Sequence, residues 1–242
     1  MLKLYVQAPF ATFRTFSAGS FRPSAAFMTP TAAYGLLLNL AGINSRLDDG
    51  KSPMTLMRDD LPRVRIALGI PSSDESDGPV LPRVQSIYQQ LHNYPVGASG
   101  KDHAKNTMGS KYNITPVRRQ FLVGLRALIA VHADEELDSA IVSGLVGEQK
   151  SDRFGLPFLG DNSFLPDVIS TTSHADQAAF WFEKVSGSDD ELEMKDDVTR
   201  LTSWIDRMDM SKTQSSLYAP SQSATLEPPE TSWTEVGPKT DN

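Results

Sequence analysis

LYVQAPFATFRTFSAGSFRPSAAFMTPTAAYGLLLNLAGI, Leu4 to Ile43, is the stretch whose reading decides the fold. It starts within a short apolar strand, Leu2–Val6, and continues through a loop, Ala8–Met28, that carries Arg14 and Arg22. A helix with marked ends follows. Thr29 suits the N-cap, and Pro30 suits the first helical position, where its missing N–H has no intrahelical partner to lose. Gly42 can close the helix in a left-handed conformation. Between these limits Tyr34, Leu36, Leu37, Leu38, Leu40 and Ile43 cover most of the circumference, so the helix is buried. The two arginines precede a helix N-terminus whose free N–H groups and dipole favour anions. Phe10, Phe13, Phe16, Phe21 and Phe27 alternate with them; they suit either base stacking or a small core under the loop.

Working outward, Val64–Ile70 reads as a second strand and Leu81–Leu91 as a third. Asn93–Asn113 has three glycines, three lysines and almost no large apolar residue, so it is a protruding loop or hairpin tip. From Val117 to Val131 the period is two: Phe121, Val123, Leu125, Ala127, Ile129 and Val131 share a core face, with Gln120 and Arg126 on the other. The segments flanking the loop can pair as a long hairpin, about residues 82–118. Asp134–Val146 is a helix with acids in its first turn, Arg153–Asp167 a loop, and Ala178–Val185 a strand. Arg200–Met208 adds an edge strand. From 211 to 242, Ser, Thr and Pro dominate, and a disordered or draped tail is expected after a single domain of residues 1–210. Strand, helix, strand, hairpin, strand, helix, strand is the order of an α+β, ferredoxin-like βαββαβ unit with extra C-terminal strands.

Net charge is −7, but its distribution is uneven. Residues 1–133 hold 15 Lys and Arg against 8 Asp and Glu, whereas residues 134–242 hold 8 against 22. Residues 101–133 contain six basic residues and one acid. One basic face and an acidic remainder follow. With no cysteine there is no disulfide and no thiolate chemistry. No apolar run approaches the ~20 residues of a membrane helix, and no secretion signal is apparent, so a cytoplasmic location is expected.

Nucleotide-loop, zincin and nucleophile-elbow motifs are missing. His92, His103, His132 and His174 give only a weak metal signal, although His-Ala-Asp recurs at 132–134 and 174–176, and no metal or cofactor is expected. Metal-free RNA cleavage is the one enzymatic alternative, because His92, Tyr94, Lys101 and His103 lie close together in the sequence. The stronger pattern is binding. Arg14, Arg22, Lys101, Lys105, Lys111, Arg118, Arg119 and Arg126 can hold phosphates, and Tyr112 can stack on a splayed base.

The runs YVQAPFATFR and TPTAAYGLLLNLAGI, with GLPFLGDNSFLPDVI at Gly155–Ile169, resemble the CRISPR-associated Cas-five proteins, in the DevS-like (Myxan subtype) branch. The resemblance spans roughly residues 1 to 185. It implies an RNA-recognition-motif-like RAMP fold whose projecting hairpin is called the thumb. It implies a non-catalytic subunit of a type I Cascade surveillance complex. Such a subunit grips the 5′ handle of the guide RNA (crRNA), caps the backbone-subunit filament and contacts the large subunit, with target DNA nearby. Transposition proteins join these partners where such a complex serves guided transposition rather than antiviral defence. Some members of the family cleave precursor crRNA, which keeps the ribonuclease alternative in view.

Overall fold

The computed structural model describes residues 1–15, 20–47, 56–95, 112–149, 152–171, 175–185, 197–206 and 209–238, with backbone alone at 91–95, 112–115 and 210. The elements run β1 (Leu2–Ala11), β2 (Phe21–Arg22), α1 (Pro30–Leu40), β3 (Arg46–Leu47), β4 (Leu56–Met57), β5 (Val64–Pro71), β6 (Arg83–Pro95) and β7 (Tyr112–His132). They continue with α2 (Glu135–Leu145), β8 (Val168–Ser170), β9 (Ala179–Lys184), β10 (Thr199–Trp204), β11 (Gln214–Pro220) and β12 (Thr234–Val236). The main sheet has the order β10-β11-β9-β5-β7-β1-β8, each neighbour antiparallel, with β12 on β5 and β6 on β7. Only β2 runs parallel to its partner, β7, among the described strands.

α1 forms where its punctuation places it. The Thr29 hydroxyl accepts from the Ala32 N–H at 3.2 Å, and Pro30 occupies the first turn. Gly42 at φ 72° ends the helix, with Ile43 N–H donating to Leu38 O and Gly42 N–H to Asn39 O. Pro30, Ala33, Tyr34, Leu36, Leu37, Leu38 and Leu40 are all buried, against the sheet and against α2. α2 is capped by Asp134, whose carboxylate accepts from the Leu137 N–H at 2.8 Å. It comes so close to α1 that a Cβ at Gly144 would lie 1.7 Å from Leu40 O.

β7 is longer than its apolar period suggests, and it changes face midway. Leu125, Ala127, Ile129 and Val131 join the helix-side core, as the period predicts, but so does Leu122. Phe121 and Val123 therefore do not share that face. Gly124, at φ 75°, shifts the alternation by one residue. β1 does the same directly opposite: Leu4, Val6 and Ala8 face the core, and then Ala11. The pairs Ala8↔Leu125 and Phe10↔Val123 keep one register across the break, so Pro9, which has no N–H to offer, stands opposite Gly124.

Beyond the break, β7 takes new partners on both edges. Its N-terminal half pairs with β6 on one edge, from Arg83↔Val123 to Pro95↔Tyr112, and with β2 on the other. β6 is exposed at every residue from 83 to 90. The hairpin tip, 96–111, lies outside the described residues, as do Phe16, His174 and residues 188–196 of the acidic run SDDELEMKDD.

Two further elements depart from the sequence reading, which makes Ala178–Val185 the closing strand of the unit. As β9 it instead pairs with β5 and β11, and the position beside β1 belongs to β8, three residues at the end of the long loop. β9 fits on β5 because Gly69 leaves room for the Trp181 ring, which a Cβ there would approach to 2.8 Å. The expected tail also folds. β11 and β12 join the sheet, Tyr218 and Thr234 share a buried hydrogen bond of 2.7 Å, and Trp233 packs on the His132 ring at 4.4 Å. A few large residues, widely spaced, bury what average composition hides. Among the described residues, no helix is long and apolar enough to cross a membrane.

Candidate nucleic-acid interface

The basic residues gather where β1 and β7 change face. β1 runs into a turn in which Phe13 and Ala25 are hydrogen-bonded and Arg14 bridges to Ser24. Arg14 and Arg22 thus sit on the two limbs of one loop, just before the α1 N-terminus. In β7, Arg118 and Arg119 point to opposite sides, as neighbours in a strand must. Arg118 is exposed, its guanidinium 5.9 Å from the Phe21 ring centre. Arg119 is buried.

The loop after α2 supplies the counter-charge. Arg119 donates to the Asp161 carboxylate at 2.6 Å, with side chains only 10% and 16% exposed. Asp161 also accepts from the Ser163 N–H at 2.9 Å. The loop is locked to the sheet end by Thr12 N–H on Leu159 O, and Gly160, at φ 81°, lies so close that a Cβ would be 1.5 Å from Thr12 O. Desolvation pushes the Asp161 carboxyl up, but the Ser163 N–H and the Arg119 guanidinium hold it below the usual carboxylate range. Arg14 titrates below an ordinary arginine because of burial and the repulsion of Arg119 and Arg22, offset in part by Asp161. Arg22 lies beside Arg119 in the β2–β7 register, and of these three guanidiniums only Arg119 is paired with a described carboxylate. The Nε atoms of Arg22 and Arg119 are buried with no partner in the described chain.

A cleft of about 810 Å³ adjoins this cluster, lined by Arg14, the first turn of α1 at Thr29, Thr31 and Ala32, Arg46, and the loop from Phe154 to Leu165. Arg46 packs over the Phe154 ring at 4.9 Å. Phe10, Phe121 and Phe164 form a separate triangle of rings beside Arg119, with centres 5.7–6.0 Å apart. The loop phenylalanines divide between the two roles the sequence left open. Phe13 and Phe27 are core, Phe27 stacked on Phe182 at 4.6 Å, whereas Phe10 and Phe21 are exposed.

The charge asymmetry now has a structural counterpart. At the far end of the sheet, cations of the first half meet acids of the last segment: Lys3 with Glu227, Arg63 with Glu235, Arg65 with Glu230. No acid among the described residues lies in ion-pair range of Arg14, Arg22, Arg118 or Arg126. Of the residues singled out in the sequence, Arg14, Arg22 and Arg119 come together and Arg118 flanks them. Arg126 stands apart on β7, exposed, opposite Gln7 and near the Tyr5 hydroxyl. Tyr112 begins β7 with its side chain undescribed, and Lys101, Lys105 and Lys111 lie outside the described residues, as does His103. Sequence reasoning missed Asp161, Arg46 and Phe164.

Residues 1–199 match the sequence model of a family described as CRISPR-associated protein (Cas_Cas5). The chain belongs to the CRISPR-associated Cas5 family. Arg14, Arg119, Asp161 and Phe164 all fall within the matched span of this Cas5 protein, whereas β11 and β12 lie beyond it. Among solved structures it is similar to a chain of a "CRISPR RNA-guided surveillance complex", at 12% identity and a TM-score of 0.49, covering 96% of this chain and 95% of that one. It is also similar to one described as "Crystal structure of Cas protein", at 14% identity and 0.40, covering 94% and 99%. No curated protein matches the sequence significantly.

Proposed function

We propose that this Cas5 protein is a non-catalytic, cytoplasmic subunit of a type I Cascade complex that binds the 5′ handle of the crRNA and caps the backbone filament. The large subunit and the target DNA are then its neighbours. The observation that carries the reading is the arginine cluster: Arg22 lies beside Arg119, Arg14 lines the cleft at the anion-favouring start of α1, and of the three only Arg119 has a carboxylate partner. A phosphodiester supplies the negative charge that the described chain lacks there. Strands β5-β7-β1-β8, with α1 and α2 as crossovers, are on this reading the ferredoxin-like RAMP core, and β6 with the first half of β7 is the thumb. The quoted N-terminal and Gly155–Ile169 stretches support the DevS-like branch.

The test is purification with its neighbouring subunits, followed by crosslinking of any small RNA that copurifies. This chain should crosslink to the 5′ end. Arg14→Ala with Arg22→Ala should weaken RNA capture by about 1–3 kcal/mol per lost contact and lower the salt slope by about one unit each. Lysine replacements should rescue only in part, lacking the planar fork. A double variant that retains RNA like the parent defeats the assignment. Precursor crRNA incubated with the isolated chain should stay intact; cleavage abolished by His103→Ala or Tyr94→Phe would install the ribonuclease reading instead.

A further inference from the structure

We propose that Phe10, Phe121 and Phe164 form a stacking platform for one unpaired nucleobase of the bound RNA. The inference rests on the RNA-binding reading and adds to it a subsite distinct from the arginine cleft. Phe10, 43% exposed, presents its ring to solvent at the break in β1. An exposed phenylalanine on its own means nothing. This one is held from behind by two partly covered rings, edge-on to Phe121 at 5.7 Å and tilted against Phe164 at 6.0 Å. Phe164 is itself fixed by the Arg119 guanidinium, 5.7 Å from its centre, and Arg119 is fixed by Asp161. The platform is therefore built as one piece with the cationic cluster, and a base lying on it carries its own phosphate towards that charge.

Charge decides between a base and an apolar side chain of a protein partner. The neighbouring cluster has three guanidiniums and a single carboxylate, whose oxygens already serve Arg119 and Ser163. A ligand seated here must bring anionic groups next to a flat apolar one, the composition of a nucleotide. The face break makes the platform possible: without the shift at Gly124 and Pro9, Phe10 and Phe121 would not stand outside the helix-side core.

The test uses the full chain and an unstructured RNA of about eight nucleotides carrying 2-aminopurine at one position in turn. One position should be quenched on binding to the parent. Phe10→Ala should weaken binding about 5- to 150-fold and abolish that quench, with the salt slope unchanged. Phe10→Trp should preserve both, and Phe10→Leu, which keeps apolar bulk and guards against misfolding, should behave like alanine. The arginine variants should instead lower the slope. Phe10→Ala or Phe10→Leu binding with parental affinity and quench overturns the platform while leaving the RNA reading in place. Parental binding combined with lost assembly onto partner subunits overturns it in favour of a protein contact. A parent that binds no RNA overturns both.

Discussion

Asp161→Asn is the substitution that most sharply separates a structural ion pair from a site waiting for phosphate. In the free subunit the Asp161 carboxylate lies 2.6 Å from the Arg119 guanidinium, with both side chains largely covered. Two unit charges about 4 Å apart at an effective dielectric near 20 interact by about 4 kcal/mol. Asparagine keeps one acceptor oxygen, which can serve Arg119 or the Ser163 N–H but not both, since the two donate to different carboxylate oxygens, so only part of the geometry survives. It also leaves Arg14, Arg22 and Arg119 repelling one another with no anion between them. Truncating a fully buried pair costs ~3–5 kcal/mol; here a loss of about 2–3 kcal/mol is expected, because the site opens on one side.

The decisive measurement is the second half of the cycle. If RNA phosphate occupies this cluster, it restores the missing negative charge, and the bound complex loses less stability than the free chain. The difference must appear as affinity. A recovery of about 1–2 kcal/mol makes Asp161→Asn bind RNA about 5- to 30-fold tighter than the parent, although it is the less stable protein. Urea unfolding of the free chain and RNA titration at fixed salt give the two numbers. Weaker or unchanged binding would refute the reasoning, since a purely structural pair predicts damage on both counts.

The same carboxyl sets a pH dependence. Its folded pKa lies below the unfolded one, so its stabilisation is complete above about 3.9 and drains away as pH falls towards the folded value; Asp161→Asn should flatten the urea-stability profile in that acid window. Gly160→Ala, with a Cβ 1.5 Å from Thr12 O at a positive φ, should cost about 2–4 kcal/mol and loosen RNA binding as the loop detaches. Thr29→Ala removes the α1 cap and should cost about 1 kcal/mol by urea unfolding. Truncation after residue 210 deletes β11, β12 and the buried Tyr218, and should yield an insoluble or unfolded chain rather than a trimmed native one, as circular dichroism will show.

What could be read in the sequence was what local chemistry dictates. Thr29, Pro30 and Gly42 bracket α1 because cap and stop are properties of neighbouring residues. The period of β7 is legible from Leu125 to Val131 because one face there is buried throughout. It misleads at Phe121 and Val123, since the pattern says nothing of a φ of 75° at Gly124; a glycine within a strand was the available signal. β8 went unseen because three residues of pairing leave no period. Arg14 and Arg22 could be placed by the helix start that follows them. Asp161 could not, because it reaches Arg119 across 42 residues of chain and looks in sequence like any loop acid.

The irregularity and the site share one cause. A regular β1–β7 ladder keeps alternate residues on fixed faces, so an aromatic platform and an arginine pair on the same two strands could not be tuned independently of the core. A one-residue shift, placed at Pro9 and Gly124 so that no ladder donor is wasted, lets Leu122 and Ala11 continue the core while Phe10 and Phe121 turn outward beside Arg119. The loop carrying Asp161 can then cross the end of β1, where Gly160 permits contact with Thr12. The arrangement is costly for the free subunit, which holds three guanidiniums together with one carboxylate. At the other end of the sheet, the C-terminal acids pair with Lys3, Arg63 and Arg65 and leave this cluster alone. Concentrated positive charge detracts from stability, and such charge is retained where a ligand anion offsets it.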